Sequence, residues 1–198
     1  MSSSTPSPIP YDRLLADLEP TAGILPSDPL LASLEDAWLA AYCDAASHIT
    51  QVLSFEDGGF RFLFDHASAA GSDVDDRLVV GYGASQSRSK PRDAARMRGF
   101  LAPRLDISGK GVFDKGHVLA HAMGGGLDVN LFPQRPDLNR GRSACGRIYR
   151  RMERYVASHP GTFVFSRLWY TDSSWVPASL EYGVLLPAGR FWVEQFLN

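Results

Sequence analysis

Five stretches of this chain read as β-strand, and a chain that carries them has to build a sheet. Phe60-Arg61-Phe62-Leu63-Phe64 puts an aromatic ring at every second position, which on a pleated strand sends all three rings to one face. Arg77 to Tyr82, Thr162 to Tyr170, Ser179 to Leu186 and Arg190 to Phe196 are likewise rich in Val, Phe, Trp and Tyr, residues suited to a half-buried sheet. Phe163, Phe165 and Trp169 share one strand parity. The sequence therefore predicts an α+β protein: a central, mainly antiparallel sheet whose core face these stripes supply, with helices packed on it.

Two segments carry helical spacing instead. Leu30, Leu31, Leu34, Trp38, Leu39, Tyr42, Ala45 and Ala46 recur on one face, with Ser27 or Asp28 as N-cap and Pro29 in the first turn, which predicts an amphipathic helix over about 29–54. Ile148, Met152, Tyr155 and Val156 predict a second over about 144–157, stopped by Pro160-Gly161. Residues 1–27 open on Ser and Pro and read as a flexible tail. Residues 28–76 read as an acidic helical region, either accessory or completing the core, and 77–198 as the functional core. A chain of 198 residues buries a core without metal or disulfide, and Cys43 and Cys145 form no CxxC motif. No apolar run approaches the roughly 20 residues of a membrane span, and the first residues lack the basic and apolar regions of a Sec signal. The expectation is no membrane partner, and a cytoplasmic location or export by a specialised route.

The formal net charge of −2 conceals three unlike segments. Residues 1–76 carry 2 basic and 13 acidic side chains, residues 77–154 carry 16 and 6, and the remainder 2 and 3. Arg88, Lys90, Arg92, Arg96, Arg98 and Arg104 form one basic cluster, and Arg135, Arg140, Arg142, Arg147, Arg150, Arg151 and Arg154 a second. Guanidinium pairs bidentately with phosphate, so a polyanion is the natural partner of this middle third.

The middle third also holds the densest chemistry. Gly111-Val112-Phe113 leads into Asp114-Lys115-Gly116-His117, then Gly124-Gly125-Gly126, Asn130-Leu131-Phe132-Pro133-Gln134 and Asp137-Leu138-Asn139-Arg140-Gly141, which reads as a short hairpin with a wide, flexible glycine loop. This set resembles the DNA/RNA non-specific endonucleases of the ββα-metal superfamily. Those proteins carry Asp-Arg-Gly-His and, downstream, Asn-Leu-x-Pro-Gln followed by Leu-Asn-x-Gly. The order agrees, as does the interval of nine between Asn130 and Asn139, and the likeness covers about residues 99–186.

The resemblance implies a ββα-metal site and sequence-tolerant hydrolysis of DNA or RNA phosphodiesters, leaving 5′-phosphates. It implies His117 as general base, since imidazole is a competent base at neutral pH. It implies Mg²⁺ or Mn²⁺ on Asn139, a hard cation that prefers oxygen ligands and keeps several waters. Asn130 would brace the hairpin or the water shell, and Asp114 would orient the loop or His117. Gly116 would allow a backbone approach that a side chain obstructs. Lys115, Arg104, Arg135, Arg140 and Arg142 would contact nucleic acid, mostly at phosphate. Such an activity fits a toxin, a defence nuclease or a scavenger, and an inhibitor or immunity protein is an expected partner.

Two departures from the family pattern bear on single residues. Lys115 replaces the family's arginine, making any phosphate contact there a point charge. The acidic residue that relatives place a little over two helical turns beyond the asparagine is absent, and the first downstream acid is Glu153. On an unbroken helix it would lie about 21 Å from Asn139, and an insertion looping out at Arg142–Gly146 would bring it back. Two other readings stay open: a catalytically inactive nucleic-acid-binding module, and a zinc-dependent HNH-like site on His117 and His121. His48, His66 and His159 have no motif around them.

Overall fold

The computed structural model describes residues 9–16, 25–87, 104–107, 109–187 and 189–198. Among the described residues nine strands form two sheets. β1 (Val52–Asp57), β2 (Phe60–Asp65), β3 (Arg77–Ala84), β7 (Phe163–Trp169), β8 (Ser179–Leu186) and β9 (Arg190–Leu197) make a six-stranded sheet in that spatial order, and β4 (Arg104–Ile107), β5 (Gly111–His117) and β6 (Leu131–Gln134) make a three-stranded one. Every pairing is antiparallel. The predicted α+β class with a mainly antiparallel sheet is what the chain adopts.

The two aromatic stripes face opposite ways. Phe60 and Phe62 join Val164, Tyr182 and Val184 in one core, whereas Phe163 and Phe165 join Leu63 and Val80 in another. The large sheet is thus buried on both faces. One face is covered by α1 (Tyr11–Ala16) and α2 (Asp28–Ala45). Ser27 caps α2, its Oγ accepting from Leu30 N at 3.4 Å, and Leu30, Leu34, Trp38 and Tyr42, four residues apart, lie buried against the sheet. Trp38 packs on Phe165 with centroids 4.9 Å apart.

Two expectations need correction here. The helix predicted over 29–54 ends at Ala45, where Ala46 N donates back to Tyr42 O, and Val52–Asp57 is instead an outer strand. The Gly58-Gly59 turn folds that strand onto β2, so cross-strand pairing overrides the weak helical spacing beyond Ala46. The tail over 1–27 is ordered at 9–16: Tyr11 is buried against Phe165 and Phe191, and its hydroxyl donates to the buried Glu181. β2, before the boundary at 76, pairs with β3 after it, so residues 28–76 contribute to the same sheet as the residues that follow.

The other face is covered by the β5–β6 hairpin, the short α3 (Pro136–Asn139) and α4 (Ala144–Ser158). Tyr149, Met152 and Val156 of α4 pack inward. The segregation of charge along the chain is also a segregation in space. α2 carries Asp28, Glu35, Asp36 and Asp44 and no basic residue, while α4 on the opposite side exposes Arg147, Arg150, Arg151 and Arg154. Among the described residues, no helix is long and apolar enough to cross a membrane.

Candidate functional site

β5 and β6 are in register from Asp114 opposite Gln134 to His117 opposite Leu131. The pairing demands glycine at 116, because a Cβ there would meet Gln134 Cβ at 2.4 Å. The obstruction expected at Gly116 is thus a neighbouring side chain of the same hairpin. Between the strands, residues 118–130 form a loop that is tied down rather than loose. Asn130 does the tying: its Oδ1 accepts from Leu119 N at 2.9 Å, and its Nδ2 donates to Leu119 O at 2.8 Å and Gly126 O at 2.9 Å. Wholly buried, it spends both polar atoms on the loop backbone and acts as a brace. Asp128, at φ 58°, starts the tight turn that delivers Asn130 to β6, a left-handed conformation that aspartate tolerates better than most residues.

Asp114 and α3 meet beside this loop. Asp114 is 6% exposed. Arg140 Nε donates to its Oδ2 at 2.6 Å and Arg140 Nη2 donates to its Oδ1, while Asn139 Nδ2 donates to Oδ2 at 3.2 Å. The forked pair compensates the cost of burying a carboxylate, and the same bond raises the Arg140 guanidinium above its ordinary pKa. Arg140 therefore serves Asp114, which differs from the phosphate contact expected of it. Holding Asn139 by its amide nitrogen leaves Oδ1 as the atom turned to other partners.

His117, 8% exposed, ends β5. Its carbonyl accepts from the hydroxyl of Tyr149 at 3.3 Å, a contact between α4 and the hairpin that the motifs did not point to. The inward face of α4 is 149, 152, 153 and 156, and spacing of i, i+3, i+4 and i+7 from Tyr149 would have found it. Lys115 faces Pro133 across the hairpin, and desolvation lowers its ammonium pKa.

Glu153 lies on the same inward face as Tyr149. Asn139 and Glu153 are not joined by one helix: Arg142 N and Ser143 N turn back onto Asp137 O, and Ser143 caps a new helix through Gly146 N at 2.9 Å. Gly146 lets this start lie directly on α3, since a Cβ would meet Asp137 O at 2.4 Å. The separation of a continuous helix does not apply. Among the described residues the hydrogen-bond partner of Glu153 is Arg150, at 2.6 Å, and not Asn139. Burial pushes the Glu153 carboxyl up to about 7 against the opposing pull of Arg150.

Of the expected phosphate contacts, Arg135 is exposed with its Nε donating to Asp137 Oδ1 at 3.1 Å, and Arg142 is exposed at the turn between α3 and α4. Arg104 lies in β4 opposite Asp114, and its side chain is outside the described residues, as are Arg88, Lys90, Arg92, Arg96 and Arg98. His121 stands 6.5 Å from His117 between ring centroids, with its Nδ1 3.3 Å from Gly125 O. Among the described residues no three His, Cys, Asp or Glu side chains converge as a metal cage. No protein-family model matches this chain, and no curated protein matches it.

Proposed function

We propose that the chain is a divalent-metal-dependent, sequence-tolerant endonuclease that hydrolyses phosphodiester bonds of DNA or RNA, with His117 as general base. The observation that carries this reading is the bond from Asn139 Nδ2 to Asp114 Oδ2, which ties the asparagine motif to the strand that ends at His117. The succession β5, β6, α3 and α4 supports it, being the strand, strand, helix order that a ββα-metal site requires.

The donor set fits Mg²⁺ or Mn²⁺ better than zinc. A hard cation needs few protein ligands because it retains water, and Asn139 Oδ1 supplies one neutral oxygen. Both Asp114 oxygens are occupied by Arg140 and Asn139, so Asp114 is a positioning residue that fixes the asparagine amide. When bound, the cation would supply charge compensation at the phosphoryl group and the departing oxygen. His117 accepts the proton of the attacking water at a ring nitrogen, and Tyr149 and Asn130 hold the backbone on either side of the hairpin so that the ring keeps its place. Arg135 and Arg142 flank α3 and meet phosphate from outside.

Plasmid DNA and an RNA transcript incubated with the protein in Mg²⁺ should be cut, and EDTA should stop the cutting. Asn139→Ala should raise the half-saturating Mg²⁺ concentration by roughly tenfold or more with nucleic-acid affinity little changed. An unchanged half-saturation removes Asn139 from the metal. Tight binding without any cleavage would leave the inactive binding module as the reading.

A further inference from the structure

A cavity of about 180 Å³ opens where the end of α2 meets the start of β3 and the chain after β7. None of its lining residues belongs to β5, β6, α3 or α4. Two of the side chains that line it, Tyr42 and His48, rest on Asp65, the last residue of β2 and wholly buried. Asp65 Oδ2 accepts from the Tyr42 hydroxyl at 2.7 Å and meets His48 Nε2 at 2.7 Å, and Oδ1 accepts from Gln51 N at 2.8 Å. Asp65 thus has three hydrogen-bond partners.

Arg77 stands opposite Asp65 in the register of β2 and β3 and is 5% exposed. Its guanidinium lies over the Tyr170 ring, 4.8 Å from the centroid. Nε donates to Asp75 O at 3.4 Å and Nη1 to Asp172 O at 3.1 Å. These are backbone carbonyls, and among the described residues no carboxylate accepts a hydrogen bond from it. The neighbouring carboxylates have other partners: Asp172 takes Lys110 and Ser174, Asp75 takes Trp175 N, and Asp76 takes His66 and Ser68. A guanidinium has five N–H donors, so a buried cation lines this cavity with donors to spare. Asp65 opposite supplies its counter-charge, and the N–H groups that Asp75 O and Asp172 O leave over are what the cavity offers a ligand. Tyr42, Val74, Trp169 and Tyr170 supply the apolar walls.

We infer that this cavity binds a small organic oxyanion, an aromatic carboxylate or phosphate monoester, whose oxygens accept from Arg77 while its ring lies between the aromatic walls. Both present an oxyanion on an aromatic ring, and they differ in the shape and charge of that head group. His48, held by Asp65, lines the same cavity and serves as a positioning residue for the anion's edge.

Isothermal titration of the full chain with benzoate, phenyl phosphate and inorganic phosphate tests this. Saturable binding of benzoate or phenyl phosphate, tighter than that of inorganic phosphate, is the expected result, and whichever binds more tightly identifies the head group. Arg77→Gln should weaken it by about ten- to a hundredfold, as for other charge-assisted bonds. Ser47→Trp, at an exposed position on the cavity wall, should block binding without touching the core, and it decides the matter if Arg77→Gln does not fold. Absence of saturable binding by all three compounds, inorganic phosphate binding as tightly as phenyl phosphate, or binding that survives Ser47→Trp in a folded protein would each overturn the inference.

Discussion

The two faces of the six-stranded sheet are buried by different means. Under α2 the contacts are ring on ring, Trp38 on Phe165 and Tyr82, and Tyr11 on Phe165 and Phe191. The polar groups there, Arg167 and Glu181, are sealed by Tyr11 and Gln195. Under the β5–β6 hairpin and α4 the apolar layer is capped by side chains bonded to loop backbone, Asn130 to Leu119 and Gly126 and Tyr149 to His117. Apolar contact is non-directional and tolerates small shifts, whereas hydrogen bonds to backbone fix a loop to tenths of an ångström. One face thus holds the fold together and the other holds a geometry, and damage to each has its own consequence.

The largest effect should follow from removing the first face. A chain starting at Glu56 lacks α1, α2 and most of β1, leaving Phe163, Phe165 and Phe191 without cover. Exposed apolar area on that scale drives aggregation, so size-exclusion chromatography should find no folded monomer. A soluble truncation with enhanced cleavage would instead make the acidic layer a restraint on the site.

Damage to the second face should spare the fold and stop the chemistry. His117→Ala removes the proposed base at a strand end, and loss of a positioned base costs about 10²–10⁴ in rate. Near-ultraviolet circular dichroism should match the wild type while cleavage falls by that factor. Near-native turnover in the folded variant would end the general-base reading.

Glu153 offers a smaller effect within the second face. In the unfolded chain it ionises in the ordinary carboxyl range, and in the folded protein it keeps its proton up to about 7. Between those two pH values the native state binds the extra proton, so stability falls as pH rises and levels off above about 7. Glu153→Gln should abolish that slope. It should stabilise the protein by about 1–3 kcal/mol relative to wild type at pH 8 and by close to nothing near pH 4, read from urea unfolding at both values. Equal slopes in the two proteins would place the carboxylate in a better-solvated setting.

Much of the first face could be read in advance because burial writes periodicity into sequence. The period of two in Phe163 and Phe165 and the four-residue spacing of Leu30, Leu34, Trp38 and Tyr42 are direct consequences of facing a core. β1 could not: it is an outer strand with five of its six residues exposed, so no face had to be apolar. The hairpin of the candidate site was visible through its motifs, whereas the bond from Asn139 to Asp114 was not, the expected role of Asp114 being to orient the loop or His117. The capture of Arg140 by Asp114 was not, since a run of arginines does not say which one turns inward. Nor was the pairing of His48 with Asp65, which folding creates between residues with no motif between them.

The faintest expected difference concerns the outer surfaces, where α2 is acidic and α4 basic. Exposed charges act mainly within a Debye length, about 10 Å at 0.1 M salt, so each layer should influence a polyanion only on its own side. Arg147→Gln with Arg154→Gln should weaken binding of a short DNA duplex severalfold at about 0.1 M salt. The pair should lower the slope of log affinity against log salt by about 1 for each phosphate no longer neutralised. Asp36→Asn with Asp44→Asn changes the net charge by the same amount with the opposite sign, and on the far face it should leave the slope as it was. Fluorescence anisotropy across a salt series separates the two cases. Equal and opposite changes from the two pairs would mean that the duplex responds to total charge, and the division of the molecule into a structural and a functional face would then not extend to its surface.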